Sequence, residues 1–134
     1  IDHVKPNGTS HQQHKCIVGD SAHAVFNGKI IVRPHAQRTN SSQSSRNLLL
    51  SSAAQIDTKP QLEIFADDVK CAHGATVGQL EQEEIFYLES RGLSELAARN
   101  LLTYAFGAEI ISRIPVTSLR QQLEQAVLNQ TQGK

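Results

Sequence analysis

The stretch AVFNGKIIVRPHAQRTNSSQSSRNLLL, Ala24 to Leu50, decides how this β-rich chain folds. It holds three apolar runs of strand length: Ala24-Val25-Phe26, Ile30-Ile31-Val32 and Leu48-Leu49-Leu50. Turn chemistry lies between them, with Asn27-Gly28 after the first run and the polar segment Thr39 to Ser45 before the last. Asn-Gly between two apolar runs predicts a two-residue hairpin, and a tight corner in a coiled solenoid would use the same pair. The Ser-rich segment reads as an ordered polar corner, because Arg46-Asn47 leads at once back into leucines.

The pattern extends in both directions. Cys16-Ile17-Val18 precedes it, followed by a turn at Gly19-Asp20, while LEIF at 62 to 65 and KCAHGATV at 70 to 77 continue it. Apolar centres recur at about 12 to 18 residues, a spacing that fits the rungs of a β-solenoid with unequal corners, a β-sandwich being the alternative.

After Gly78 the period changes. Glu81 to Arg91 is acidic and amphipathic and ends at Gly92, a residue suited to a left-handed C-cap. Ser94 caps a second helix carrying Leu96, Ala97, Leu101, Tyr104, Ala105 and Phe106 at helical spacing, with Gly107 placed to bend or break it. Ser118-Leu119-Arg120-Gln121 has capping-box spacing and opens a third helix with Leu119, Leu123, Ala126 and Val127 on one stripe. The predicted class is mainly β with C-terminal helices, a β-helix core over 1–79 and a helical domain over 80–134.

Composition narrows the function classes. The 134 residues carry 13 basic and 13 acidic side chains, scattered rather than massed, so the basic stripe that phosphate backbones require is missing and no nucleic-acid partner is expected. No apolar run approaches the roughly 20 residues that span a bilayer, so no membrane partner is expected either. Aromatics make up 4% of the chain and Trp is absent, which leaves Ile, Leu, Val and Ala to build the core. Two cysteines do not make a disulfide framework; both are expected as free thiols, in keeping with an intracellular compartment. A chain without Met that begins at Ile1 is expected to be a fragment or a processed piece.

The chemistry-bearing residues fall into two groups. Cys71 and His73 stand two apart in a predicted strand, so sulfur and imidazole project from one face while Lys70 and Ala72 take the other. Thiolate and imidazole together suit zinc, copper(I) or iron-sulfur centres, but a closed site needs more donors than this pair supplies. Lys70, adjoining in sequence, and a protonated His73 would favour the thiolate. The plainer reading is a cysteine packed as a small hydrophobe beside a hydrogen-bonded histidine. The second group is His11, His14 and Cys16, an H-x-x-H-x-C cluster that, with Cys71, would make a self-contained metal site; alternatively these are solvated loop histidines. Asp67-Asp68 reads as a hard-cation pair or as turn capping. No Gly-rich phosphate loop, G-x-S-x-G elbow or H-E-x-x-H is present, and no enzymatic activity is expected of the chain itself.

Read together, GKIIVRPHAQRTNSSQSSRNLLLSS, AQIDTKPQLEIFADDVKCAHGATVGQL and FYLESRGLSELAARNLLTYAF resemble the C-terminal part of the SufD branch of the SufB/SufD family of iron-sulfur cluster assembly proteins. Gly74 stands where SufB-type sequences usually carry glutamate, which favours the SufD branch. The resemblance implies the last turns of a right-handed parallel β-helix followed by a small helical domain. It also implies a scaffold subunit that pairs with SufB through the β-helix and docks the SufC ATPase through its C-terminal helices. Cys71 and His73 fall on the family's C-x-H motif, which implies a place at the SufB–SufD junction where the cluster forms, with His73 the favoured ligand. The cluster would be transient and shared with the partner, with none tightly bound to the isolated chain. Bacterial cytoplasm or plastid stroma is the implied compartment. Family members are longer at the N-terminus, so self-association of this piece through its cut solenoid face is expected.

Overall fold

The computed structural model describes residues 1–132, in two units, Ile1–Gly78 and Gln79–Lys134. The first is built from β1 (Asp2–His3), β2 (Thr9–Val18), β3 (His23–Val32), β4 (Thr39–Leu49), β5 (Gln55–Ile64) and β6 (Val69–Gln79). They form two three-stranded sheets of order β1-β3-β5 and β2-β4-β6. Odd and even strands alternate between the sheets, so the chain crosses from one to the other at every corner. The paired strands run parallel: Thr9 lies beside Asn40 and Val18 beside Leu49, while His23 lies beside Gln55 and Val32 beside Ile64. Each strand therefore meets its neighbour one full turn of the coil later, and side chains stack on like positions. Parallel β-solenoid turns followed by helices are the observed class.

Corners use the backbone states expected of them. Asn7, Asp20 and Arg38 have φ of 62°, 54° and 60°, and the Gly19-Asp20 turn closes with the Ala22 N–H donating to the Gly19 carbonyl at 3.1 Å. Asn and Asp tolerate this left-handed region best. Arg38 is held there by its backbone N–H, which donates to the Asp68 carbonyl of the next turn.

Two sequence expectations fail in this unit, for connected reasons. Asn27-Gly28 is neither hairpin nor corner; β3 runs straight through it. The Ser-rich segment is no corner either: it is most of β4, the central strand of its sheet, with Thr39, Ser41, Gln43, Ser45 and Asn47 pointing inward and buried. A β-carbon on Gly28 would lie 2.5 Å from Gln43 Nε2 and 2.6 Å from its Cδ, so glycine stands there to make room for that side chain. Buried polar groups are mostly hydrogen-bonded, and these find partners both along the axis and within their own turn. Ser10 Oγ meets Ser41 Oγ at 2.7 Å, Gln43 Nε2 donates to Gln12 Oε1 at 2.7 Å, and Thr39 Oγ1 donates to the Ala36 carbonyl at 2.8 Å. The apolar part of the interior gathers Ile30, Val32, Ala36 and Ala66, with Leu62, Val69 and Cys71 packed against them. Burying each of the larger of these contributes about 1.5–3 kcal/mol.

The second unit contains α1 (Gln82–Ser90), α2 (Glu95–Ile111) and α3 (Thr117–Gln132). Gly92 follows α1 with φ of 96°, and Ser94 caps α2 by accepting from the Ala97 N–H at 3.2 Å, both as the sequence predicts. Gly107 does not end α2, which continues to Ile111. α3 begins at Thr117, leaving Ser118 inside its first turn rather than at its cap. No described helix is long and apolar enough to cross a membrane.

Candidate functional site

β6 is the outer strand of its sheet, with β4 on one side and no further strand paired on the other among the described residues. Val69 and Cys71 are partly buried while Lys70 and Ala72 are exposed, so the odd-numbered residues face inward there. Cys71 packs against the Ile30 and Val32 cluster. His73, two residues on, takes the same face of the strand and is exposed. Lys70 lies on the opposite face, so its ammonium is across the strand from the sulfur. From His73 to Gln79 every residue of β6 is exposed, and a β-carbon on Gly74 or Gly78 would meet nothing within 4 Å. Glycine at those positions is thus not demanded by packing. It keeps the strand's surface low, as close approach of another backbone requires.

The other sulfur and imidazoles do not join this pair. His11, His14 and Cys16 lie on β2, in a strand rather than a loop, and the two histidines bond to the serines stacked beside them. His11 is exposed, with Nδ1 at 2.7 Å from Ser42 Oγ. His14 and Cys16, of opposite parity to His11, are partly buried. His14 Nδ1 lies 3.2 Å from Ser45 Oγ, and its ring stacks on Phe26 with centroids 4.0 Å apart and planes 19° apart. Burial pushes the Cys16 thiol up, away from thiolate. Both cysteines are free, and no three His, Cys, Asp or Glu side chains converge on a metal-sized position among the described residues. At Asp68 it is the backbone that bonds: its N–H donates to Gln37 Oε1 at 2.9 Å and its carbonyl accepts from the Arg38 N–H.

The His14 environment carries a pH dependence. Burial moves its pKa below the ordinary 6.5, so the folded state holds the ring neutral where the unfolded chain has begun to protonate. The unfolded state binds more protons in that window, so stability is lost as pH falls below about 6.5. Urea unfolding followed between pH 7.5 and 5 is expected to show this decline, with His14→Phe, which keeps the stack on Phe26, flattening it; equal slopes in the two proteins would contradict the assignment.

In the helical unit, α1 and α2 enclose a groove of about 500 Å³. It is lined by Leu88, Leu101, Leu102 and Ala105 together with Glu81, Glu83, Glu84 and Tyr87. Phe86 and Tyr87 are exposed by 72% and 57%. The arrangement is a groove of mixed apolar and acidic lining.

Comparison with known proteins bears on both units. The family description "SUF system FeS cluster assembly, SufBD core domain" matches residues 1–106. The chain belongs to the SufBD core-domain family. This SufBD-family chain is 56% identical over 122 residues to an iron-sulfur cluster assembly SufBD family protein of Synechocystis sp., covering 91% of the chain and 27% of that protein. It is 49% identical over 123 residues to the iron-sulfur cluster assembly protein SufD of Escherichia coli, covering 92% and 29%. It is 46% identical over 123 residues to the chloroplastic protein ABCI7 of Arabidopsis thaliana, covering 91% and 26%. The chain therefore spans less than a third of the length of these curated relatives.

Sequence reasoning singled out Cys71 and His73 and did not foresee a buried polar file inside the solenoid. Gln12, Gln43 and Gly28 meet inside the solenoid, from β2, β4 and β3. The signal was the alternation Thr39, Ser41, Gln43, Ser45, Asn47, a period-two file of hydrogen-bonding residues that looked like loop composition because every member is polar.

Proposed function

We propose that this chain is part of a scaffold subunit for iron-sulfur cluster assembly, working without an enzymatic step of its own. It pairs with SufB through its β-solenoid and receives the SufC ATPase on its helices. Cys71 and His73 contribute to the cluster-forming junction with SufB. The nascent cluster is cargo, held transiently and shared with the partner, in bacterial cytoplasm or plastid stroma.

One observation carries this reading: a thiol and an imidazole sit two residues apart on one face of a free-edged strand, with too few donors around them to bind a metal alone. A second chain adding to that edge would bring the remaining donors. Strand addition is a standard use of such an edge, its backbone hydrogen bonds supplying affinity. Nothing of the kind favours the self-contained metal carrier, since His11 and His14 take opposite faces of β2. For the helices, a groove lined by leucines and glutamates fits an amphipathic basic segment of the ATPase. Self-association of the chain is expected instead at the opposite end of the solenoid, where β1 and β2 are the outer strands.

Thiol chemistry tests the junction. In the full-length protein, Cys71 is expected to react with iodoacetamide when the subunit is alone and to be protected once SufB is added. Cys16, whose thiol is pushed up by burial, is expected to react slowly in both states and serves as the internal control. Equal Cys71 reactivity with and without SufB would remove it from the interface.

A further inference from the structure

Burial does not hold the second half of β6 in place. Val69 and Cys71 pack on the interior, but from His73 to Gln79 every residue is exposed. The entry of the strand is tied by the backbone of Asp68, which bonds to Gln37 and Arg38. Further along, the tie comes from a buried side chain. Asn47 of β4 is 4% exposed, and its Nδ2 donates to the Thr76 carbonyl of β6 at 3.0 Å.

The Asn47 amide is itself oriented. Its Nδ2 also lies 3.1 Å from Ser45 Oγ, and Ser45 Oγ lies 3.2 Å from His14 Nδ1. A hydroxyl donates one hydrogen bond: with a neutral His14, the Ser45 O–H goes to Nδ1 and Oγ accepts from Asn47. Both Nδ2 hydrogens then have acceptors, Ser45 Oγ and the Thr76 carbonyl. Turned the other way, the amide would set Oδ1 against a carbonyl oxygen. The file His14, Ser45, Asn47 and Thr76 thus crosses β2, β4 and β6 and ends on the strand that carries Cys71 and His73. An inward-facing side chain that grips a backbone carbonyl fixes the strand's rotation about its own axis there, and with it the directions of the neighbouring side chains.

We propose that Asn47 is a positioning residue for the cluster-forming junction. By holding the Thr76 carbonyl it sets the direction in which His73, earlier on the same strand, leaves the solenoid, a role that rests on the reading of His73 as an assembly residue. Ligands work only when held within about 0.5 Å and 10–20° of the productive geometry. An outer strand free to roll would have to be ordered when the partner binds, and that lost freedom would weaken the complex. Asn47 acts on His73 through the backbone of β6.

The test uses the full-length protein and Asn47→Leu, which removes the donor and keeps the site filled. Amide exchange is expected to speed about tenfold from His73 to Gln79 while β2 and β4 stay protected. In complex with the partner subunits, cluster assembly is expected to slow about tenfold. General damage to the core would instead speed exchange in β4 as much as in β6, and that result overturns the proposal. So does unchanged exchange in β6, and so does faster β6 exchange with undiminished assembly. His73→Ala judges the underlying reading separately: full assembly in that variant sinks the role of His73, whereas the exchange of β6 reports on the Asn47 grip whatever His73 does. Should Asn47→Leu fail to fold, Asn47→Asp decides, since an ionised carboxylate offers the Thr76 carbonyl only acceptors while a protonated one still donates. Exchange of β6, taken relative to the unmutated protein at the same pH, is expected to rise as the carboxyl ionises. His14, the titratable group that reaches position 47 through Ser45, is common to both proteins. A ratio that does not change with pH overturns the proposal.

Discussion

Full-length protein carrying His73→Ala is expected to assemble no cluster above background while still binding both SufB and SufC. The expectation follows from where the side chain sits. His73 is exposed on the free-edged strand and contributes nothing to the buried core, so truncation removes a donor without opening a cavity. Alanine is a weaker strand former, but across the whole β scale such changes amount to only ~1 kcal/mol, too little to undo a two-sheet solenoid. Loss of an outer-shell partner already lowers metal affinity or activity by about 10- to 100-fold, and loss of a ligand itself should do no less. Cys71→Ser is expected to be milder, because serine keeps the strand and loses only the soft donor. Unimpaired maturation of iron-sulfur enzymes in the His73→Ala strain would refute the role. Loss of SufB binding would recast His73 as an interface contact.

The second large effect is expected at Gly28. Replacing it with alanine drives a methyl into the Gln43 amide, at 2.5–2.6 Å before any relaxation. The tip of a glutamine can normally swing aside, but this one is 2% exposed and anchored to Gln12. Yielding would break that bond and push the amide into packed surroundings. Overpacking of this kind costs about 1–3 kcal/mol, which denaturant unfolding of the full-length protein can measure. Shortening the obstacle identifies the cause: Gly28→Ala combined with Gln43→Ser is expected to be less destabilised than the two single changes added together. Strict additivity would mean that Gly28 serves something other than the Gln43 amide.

Gly28 also marks where the sequence was legible and where it was not. Apolar runs such as Ile30-Ile31-Val32 and LEIF announced strands, and their spacing fitted a coil, because an inward-facing aliphatic leaves a signal in one dimension. Asn27-Gly28 did not announce its purpose. Glycine before a strand-length run reads as a turn, and only the stacked Gln43, far away in sequence, explains it as space inside a straight strand. The Ser-rich β4 was misread for the same reason: whether a serine is solvated or buried depends on a partner one coil turn away, such as Ser10 for Ser41. In the helical unit, Gly92 and Ser94 were legible because capping is local. Gly107 was not, because a helix packed in its surroundings absorbs one glycine at a cost of ~1 kcal/mol. The C-x-H pair was legible as a shared face from strand alternation alone. That it lies on a free edge follows only from the order of the strands.

The central claim is that His73 supplies one donor to a cluster completed by another subunit. Pulsed electron paramagnetic resonance on the reduced, cluster-loaded complex, with ¹⁵N-histidine incorporated only into this subunit, addresses it directly. A ¹⁵N coupling to the cluster that disappears in His73→Ala is the predicted result. A loaded cluster showing no ¹⁵N coupling from this subunit, or one that persists unchanged in His73→Ala, would contradict it.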